Sequence, residues 1–302
     1  MVDLTRLAVR KSSRACRGPF LAAAAWLAAL AVQPLAPAAA LAGQAVDLEL
    51  ILAVDVSGSI DPAEAKLQRQ GYEQALVSPE VIQAIKAGPS GRIAVTYVEW
   101  AGLGYHRVVV AWSVIDGMES ARAFVDRLAA QPIVTAHRTS VSGAIDLSAP
   151  LFAANDYDGA RRIIDISGDG ANNYGRLVTD ARDAAVKQGI TINGLPIIGD
   201  PNGASFPSNP DLDLFYRDCV IGGPGAFYVV ARGFDDFARA VRKKLILEVA
   251  GLAPKAAGRA QAAFGGPERL WRAADEDKRQ GPPCDIGERN WMRIIHGGAI
   301  DR

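Results

Sequence analysis

Three oxygen-bearing side chains stand at alternate positions directly after an apolar run. In the segment ILAVDVSGSIDP, the carboxylate of Asp55 and the hydroxyls of Ser57 and Ser59 follow residues 51–54. Side chains two residues apart in an extended chain point to the same side, so these groups could face one point. A polar turn after a strand is one interpretation. The other is half of a metal site, for which distant parts of the chain must supply the remaining ligands.

Two further segments offer such ligands. Asp169 follows an apolar run in the motif RRIIDISGDG, and Thr139 lies in the loop TAHRTSVSG before a predicted helix. In an open parallel sheet, ligands bind beyond the carboxyl ends of the strands, where the topology changes direction. We therefore expect these loops to meet at one edge of the sheet. Ser140 could take the place of Thr139 there.

The candidate ligands are two carboxylates and three hydroxyls, which suit a small hard cation such as Mg²⁺ or Mn²⁺. Two carboxylates only just neutralise a divalent ion, and the hydroxyls add no charge. The bound ion would stay electrophilic, with a coordination position open to an incoming carboxylate. Such a site would hold an acidic side chain of a partner and is poorly equipped for hydrolysis.

Several neighbouring residues have simpler roles. Asn172 and Asn173 follow Asp169 and either line the rim of the site or form a turn. Asp165 lies inside an apolar strand, where an unpaired carboxylate is costly, so we expect it to be hydrogen-bonded beneath the site. Asp61, which precedes Pro62, is explained by a helix N-cap.

The elements that must position these residues alternate between strand and helix. An antiparallel hairpin is indicated by the short glycine-containing link AGLG at 101–104. The pattern predicts a doubly wound, mostly parallel six-stranded α/β sheet, with one antiparallel edge strand and helices on both faces. The predicted strands are 48–54, 92–100, 105–112, 161–167, 190–198 and 226–231; the predicted helices are 61–76, 121–128, 141–152, 176–188 and 234–245.

The first 42 residues read as a secretory signal peptide. Five basic residues precede a short apolar stretch at 20–32, and Ala40-Leu41-Ala42 fits a cleavage signal. A retained N-terminal anchor is the alternative, although the apolar stretch is short for a membrane span. We expect cleavage after Ala42, no membrane insertion afterwards, and a periplasmic or secreted protein.

Removing this leader changes the charge balance. It carries five of the 33 basic residues and one of the 33 acidic residues, which leaves 28 basic against 32 acidic residues and a net charge of −4. That balance argues against nucleic acid or an anionic membrane as the main partner. The remaining chain, about 260 residues, is long enough for one large domain and an extension.

The extension, 251–302, shows no periodic pattern, and we expect it to be partly disordered. The remaining chain contains two cysteines, Cys219 and Cys284. In an exported protein they could form a disulfide bond that ties the extension to the domain, or both could be free thiols.

The order of the motifs has a known counterpart. The candidate residues follow one another as Asp55-x-Ser57-x-Ser59, then Thr139, then Asp169-Gly170. This order resembles the metal-ion-dependent adhesion site of von Willebrand factor type A domains, the inserted domain of integrins included. The resemblance covers residues 46–250 and is looser in two places. Many members have Thr-Asp-Gly where this chain has Ser167-Gly168-Asp169-Gly170, and the usual glycine pair before the threonine is missing.

The resemblance implies a doubly wound sheet and a non-enzymatic binding module among exported bacterial proteins. It makes Asp55, Ser57, Ser59, Thr139 and Asp169 the metal ligands and an Asp or Glu of a protein partner the bound group. The alternative is a phosphatase-like hydrolase with Asp55 as nucleophile, which would need a nearby basic residue and a general acid. A structural domain with a vestigial site is a third possibility.

Overall fold

A computed structural model of the chain describes residues 43–102, 104–199, 211–251, 271–272 and 279–297. The predicted signal peptide, 1–42, lies outside the described residues, as does much of the predicted extension. In the described part of the chain, no helix is both long and apolar enough to span a membrane.

Ten strands and eight α-helices are described. The strands are β1 (Gln44–Val46), β2 (Glu49–Asp55), β3 (Ile93–Trp100), β4 (His106–Ile115), β5 (Tyr157–Gly159), β6 (Arg162–Gly168), β7 (Thr191–Ile198), β8 (Phe227–Tyr228), β9 (Ala231–Arg232) and β10 (Trp271–Arg272). The helices are α1 (Pro62–Leu76), α2 (Pro79–Lys86), α3 (Met118–Ala129), α4 (Val141–Leu151), α5 (Val178–Val186), α6 (Leu212–Phe215), which continues into a π-helical turn (Tyr216–Val220), α7 (Phe237–Ala250) and α8 (Ile286–Gly297).

The main sheet confirms the predicted fold class. Its strand order is β10-β8-β7-β6-β2-β3-β4, with β9 beside β7, and β1 pairs with β5 in a separate two-stranded ladder. Strands β3, β2, β6 and β7 run parallel to one another, and β4 is antiparallel to β3 at one edge, as the hairpin link predicts. The parallel strands place the ends of β2 and β6 side by side, which is the geometry that the candidate site requires.

The predicted number of six strands is wrong in detail, because the last predicted strand is broken into β8 and β9 and because β10 adds an antiparallel strand beyond β8. The break has a local cause. The carbonyl of Gly194 accepts a hydrogen bond from the Val229 N–H at 3.1 Å, so residue 196, two positions along β7, also faces this strand. That residue is Pro196, which has no N–H to donate, and the ladder is interrupted there.

The helices cover both faces of the sheet. Alternate residues of β2 enter different cores: Leu50 and Leu52 pack in the core that includes α1, α3 and α7, whereas Ile51 and Ala53 pack in the core that includes α4 and α5. Every residue of β2 is buried, as expected of a strand covered on both sides.

Two helices were not predicted. Helix α2 has eight residues, with Ser78 as N-cap and Pro79 at its first position, and its shortness hides the periodicity. Helix α8 lies in the extension, where the sequence pattern assigned no element. Helix α1 follows the prediction, because the Asp61 carboxylate accepts hydrogen bonds from the N–H groups of Ala63 and Glu64.

A buried ionic cluster connects the sheet to α7. Asp165 of β6 and Glu248 of α7 both lie 2.5 Å from the ammonium nitrogen of Lys244, and all three side chains are buried. Asn193 of β7 donates a further hydrogen bond to Glu248 at 2.8 Å. Burial, and then the charge of Glu248, raises the pKa of Asp165 to about 7. Lys244 therefore balances two carboxylates that the core could not otherwise accommodate.

Replacing Lys244 by methionine should lower the free energy of unfolding by about 3 to 5 kcal/mol, because it leaves two carboxylates buried without a counter-ion. Chemical denaturation at neutral pH measures this loss. The matched control is Arg242→Met on the exposed face of the same helix, which should change stability by no more than about 0.5 kcal/mol. Equal effects of the two substitutions would contradict the role assigned to Lys244.

Candidate metal centre

The first half of the site forms where β2 ends. Asp55 is the last residue of this strand, and its Oδ1 accepts a hydrogen bond from the Ser57 N–H at 2.7 Å. The Val56 N–H still reaches across to the Trp100 carbonyl of β3 at 2.9 Å. The chain therefore leaves the sheet directly after Asp55, and the hydrogen bond from Asp55 holds Ser57 in the turn.

The hydroxyls of this turn connect the end of β2 to the end of β6. The Oγ atoms of Ser57 and Ser59 lie 3.1 Å apart, and the Ser59 hydroxyl donates to Asp169 Oδ1 at 2.8 Å. Asp169 follows the last residue of β6. The structure thus brings Asp55, Ser57, Ser59 and Asp169, which are up to 114 positions apart in the chain, into one hydrogen-bonded group.

Thr139 joins this group from a third loop. Ser57 forms a backbone bridge with Ala136, so the loop that carries Thr139 runs alongside the turn after β2. The Thr139 hydroxyl lies beside Gly170, since a Cβ added to this glycine would be 3.4 Å from Thr139 Oγ1. Ser140 does not compete for the site, because its hydroxyl donates to the Tyr174 carbonyl and accepts from Gly143 N–H as the N-cap of α4.

The two asparagines after Asp169 hold the loops together. Asn173 Oδ1 accepts from the Thr139 N–H at 3.0 Å, and the Asn173 N–H donates to the Thr139 carbonyl at 2.9 Å. Asn172 Oδ1 accepts from the N–H of Ser142, in the first turn of α4, at 2.9 Å. The placement of Asn172 on an open rim is wrong, because its side chain is fully buried. Its role is to join the Asp169 loop to α4.

Tyr216 is a residue of the site that the sequence did not reveal. Its hydroxyl lies 3.5 Å from the Gly168 carbonyl and is buried beneath the loop. A Cβ on Gly168 would lie 2.8 Å from Asp55 Oδ2 and 3.1 Å from the Tyr216 hydroxyl, so only glycine fits between them. None of the predicted strands or helices covers this segment, and its sequence gives no sign that Tyr216 reaches the end of β6.

The electrostatics of the site call for positive charge. Asp55 is fully buried, and burial together with the charge of Asp169 raises the pKa of its carboxyl well above the usual range. Burial likewise raises the pKa of Asp169 to about 6. In the described ranges, Asp55 Oδ2 has no hydrogen-bond partner, and no lysine or arginine forms an ion pair with either carboxylate.

These features fit a divalent cation with oxygen ligands. Two carboxylates and three hydroxyls are hard ligands, and among the described residues the buried oxygen of Asp55 has no ion-pair partner. Within the residues that the structure describes, no three His, Cys, Asp or Glu side chains come close enough to share an ion. A centre at this edge would therefore depend on its hydroxyl ligands as well as on Asp55 and Asp169.

Comparison with protein families identifies the domain. A family model described as "Protein of unknown function (DUF1194)" matches residues 45–253, which include the whole candidate centre. The chain belongs to this family. A comparison of the DUF1194 chain with curated proteins gives no match.

Solved structures show the same architecture at low sequence identity. Proximal thread matrix protein 1 from the mussel byssus matches with a TM-score of 0.51 and 12% identity, over 69% of the DUF1194 chain and 49% of the mussel chain. Weaker matches include the pilus adhesin SpaC from Lactobacillus rhamnosus GG (TM-score 0.49, 13% identity, 68% of this chain and 31% of the adhesin) and a von Willebrand factor type A protein from Catenulispora acidiphila (0.47, 14%, 68% and 43%). At these identities the likeness concerns the fold alone.

Replacing Asp55 by asparagine should stabilise the metal-free protein by about 0.5 to 2 kcal/mol, because it removes a buried charge beside Asp169 while keeping the oxygen that accepts from Ser57. Thermal and chemical unfolding in the presence of EDTA measure the change. Asp61→Asn, an exposed N-cap at which asparagine works equally well, is the control and should leave stability unchanged. Loss of stability in Asp55→Asn alone would show that the carboxylate is already compensated in the free protein.

Proposed function

We propose that the DUF1194 domain of this chain is an exported, non-enzymatic binding module that holds a divalent cation and recognises a protein partner through it. The cation would be held by Asp55, Ser57, Ser59, Thr139 and Asp169, with Mg²⁺ or Mn²⁺ as the ion. The observation that carries the proposal is the fully buried carboxylate of Asp55, which has an unpartnered oxygen and is linked by serine hydroxyls to the partly buried carboxylate of Asp169 at the end of the parallel strands.

The residues divide the work between them. Asp55 and Asp169 supply the negative charge. The three hydroxyls are neutral, so they supply ligands without adding further negative charge. When bound, the ion supplies a positive centre to which an Asp or Glu of the partner can attach. The hydrogen bonds from Ser57 N–H to Asp55 and from Thr139 N–H to Asn173 fix the loops before the partner arrives.

Burial of Asp55 supports binding rather than hydrolysis. A nucleophilic aspartate must reach the substrate, but Asp55 has no exposed surface. Phosphoryl transfer also needs cationic groups around the phosphate, and the described residues place no lysine or arginine in an ion pair with the two carboxylates. His137, on the loop before Thr139, lies beside Gly58 of the turn after β2 and is exposed.

The proposed cellular location rests on the pattern of the N-terminal segment and on a disulfide bond. Residues 1–42 have the pattern of a secretory leader, and the structure joins Cys219 to Cys284 in a disulfide bond, which is typical of exported proteins. Both features support a periplasmic or secreted location. A protein partner is also in keeping with the mussel protein, which is by its name a thread matrix protein.

Titration calorimetry of the chain from Gly43 with MnCl₂ should show saturable binding to one site. Asp55→Ala and Asp169→Ala should abolish the heat of binding, because each removes one of the two charges that attract the ion. Asp61→Asn should bind as the unchanged protein does. Binding that survives both alanine substitutions would contradict the assigned ligands.

Capture experiments then separate the two candidate functions. The immobilised chain should retain a partner in Mn²⁺ or Mg²⁺ and release it in EDTA, and Asp55→Ala should retain none. If the same preparation instead hydrolyses a phosphomonoester in Mn²⁺ and Asp55→Ala does not, the hydrolase is correct and the binding module is wrong.

A further inference from the structure

The C-terminal segment, defined here as residues 279–297, lies beyond the part of the chain that the family model matches. It is fixed to the domain at its start. Cys284 forms the disulfide bond with Cys219 of the π-helical turn, and Arg279 forms an ion pair with Asp213 at 2.9 Å. Cys284 and Ile286 also pack against the core beneath α4 and α5. The segment is therefore docked on the side of the sheet that carries these helices.

From this anchor, α8 reaches the Asp169 loop. Gly287 is buried against the backbone of Asn172 so closely that a Cβ at residue 287 would lie 2.1 Å from the Asn172 carbonyl oxygen. The next residue, Glu288, accepts a hydrogen bond at 2.7 Å from Asn172 Nδ2. The other end of the same amide accepts from Ser142 N–H. Asn172 Nδ2 also donates to the Arg176 carbonyl at 3.1 Å, so Glu288 and this carbonyl together fix the direction of a buried amide that joins two loops of the candidate centre.

A second contact reaches the Thr139 loop. Arg138, directly before Thr139, has φ of +69° and is the one non-glycine residue in the described ranges with a positive φ. Side chains other than glycine, asparagine and aspartate rarely adopt this conformation. The Arg138 guanidinium lies 3.5 Å from the centre of the Trp291 ring and 5.7 Å from that of Tyr174. Trp291 of α8 therefore holds the side chain of Arg138, whose backbone conformation is unfavourable for a residue other than glycine.

The contacts of Glu288 and Trp291 both act on loops of the candidate metal centre. Arg138 sets the backbone that presents Thr139, and Asn172 connects the Asp169 loop to the first turn of α4. We propose that the C-terminal segment is a positioning element of the metal centre, in which Glu288 and Trp291 hold Asn172 and Arg138 so that Thr139 and Asp169 are placed for the ion. This inference rests on the proposed function for its effect on metal binding, but its structural part can be measured without metal.

Each contact has its own reporter in the metal-free protein. Glu288→Ala should speed hydrogen exchange of the Ser142 amide, which depends on Asn172 Oδ1, and Trp291→Ala should speed exchange of the Thr139 amide. We expect increases of about tenfold or more, measured by NMR at a pH at which both variants are folded. Asn290→Ala, on the exposed side of α8, is the control and should change neither rate. Unchanged rates in both test variants would overturn the proposal.

The effect on the ion is measured by MnCl₂ titration. Because residues around metal ligands commonly contribute about 10-fold or more to affinity, Glu288→Ala and Trp291→Ala should each weaken Mn²⁺ binding by about that factor. Glu288→Gln keeps an oxygen that can accept from Asn172 and should restore both the affinity and the slow Ser142 exchange. If Glu288→Gln lost as much Mn²⁺ affinity as Glu288→Ala, the charge of Glu288 would be the cause. That result would overturn the positioning role.

A double substitution tests the link through Arg138. Glycine adopts the left-handed conformation without a steric penalty, so Arg138→Gly should present Thr139 without help from Trp291. In that background, Trp291→Ala should have no further effect on the Thr139 amide or on Mn²⁺ affinity. If Trp291→Ala had the same effect on the Thr139 amide and on Mn²⁺ affinity in this background, Arg138 would be excluded as the link between Trp291 and Thr139.

The two proposals fail in different ways. If the unchanged protein binds no Mn²⁺ while the exchange rates respond as expected, the metal site fails and the positioning role of the segment stands. If Mn²⁺ binds tightly and neither α8 variant alters exchange or affinity, the metal site stands and the C-terminal segment has no part in it.

Discussion

At one edge of the sheet, Asp55 is fully buried and Asp169 is partly buried, and among the described residues no cationic side chain forms an ion pair with either carboxylate. Most of the local structure can be understood from this constraint. Asp55 is held by the backbone of Ser57, Asp169 accepts from Ser59, and Gly168 leaves just enough room between Asp55 and Tyr216. Each of these contacts offsets part of the cost of burying negative charge, and none supplies the missing positive charge.

Strand β6 also contains an acidic residue whose charge is balanced within the protein. Asp165 lies on β6, four residues before Asp169, and is buried, and Lys244 of α7 lies against it. That arrangement is closed, because Glu248 and Asn193 complete the cluster. A carboxylate within the strand is therefore balanced internally, whereas the one directly after the strand has no ion-pair partner among the described residues. The contrast separates a structural acid from one that is suited to bind something from outside.

The sequence predicted the parts that depend on local pattern. Continuous apolar runs gave the buried strands β2, β6 and β7, and Asp61 with Pro62 gave the start of α1 to the residue. The rule that parallel strands end at a common edge was enough to bring Asp55 and Asp169 together. These features depend on chain periodicity, on capping and on topology, all of which can be read in order along the chain.

What escaped prediction depends on contacts between distant residues. The last strand is divided because Pro196 faces it, and this pairing cannot be read from the sequence. Asn172 is covered by α8, whose Glu288 lies 116 residues further along the chain. Tyr216 reaches the site from the π-helical turn after α6, which is distant from β6 in the sequence. The left-handed Arg138 replaces a glycine of the related motif, and its stabilisation by Trp291 has no signature in the sequence.

The disulfide bond has a topological consequence. Cys219 and Cys284 are 65 residues apart, and the covalent ring that they close contains β8, β9, α7 and β10. Closing a ring of this size reduces the entropy of the unfolded chain by an amount equivalent to about 4 kcal/mol. A single proteolytic cut anywhere inside the ring would leave both products joined through sulfur. In a compartment rich in proteases, a nicked molecule would therefore keep α8 attached to the domain on which it is docked.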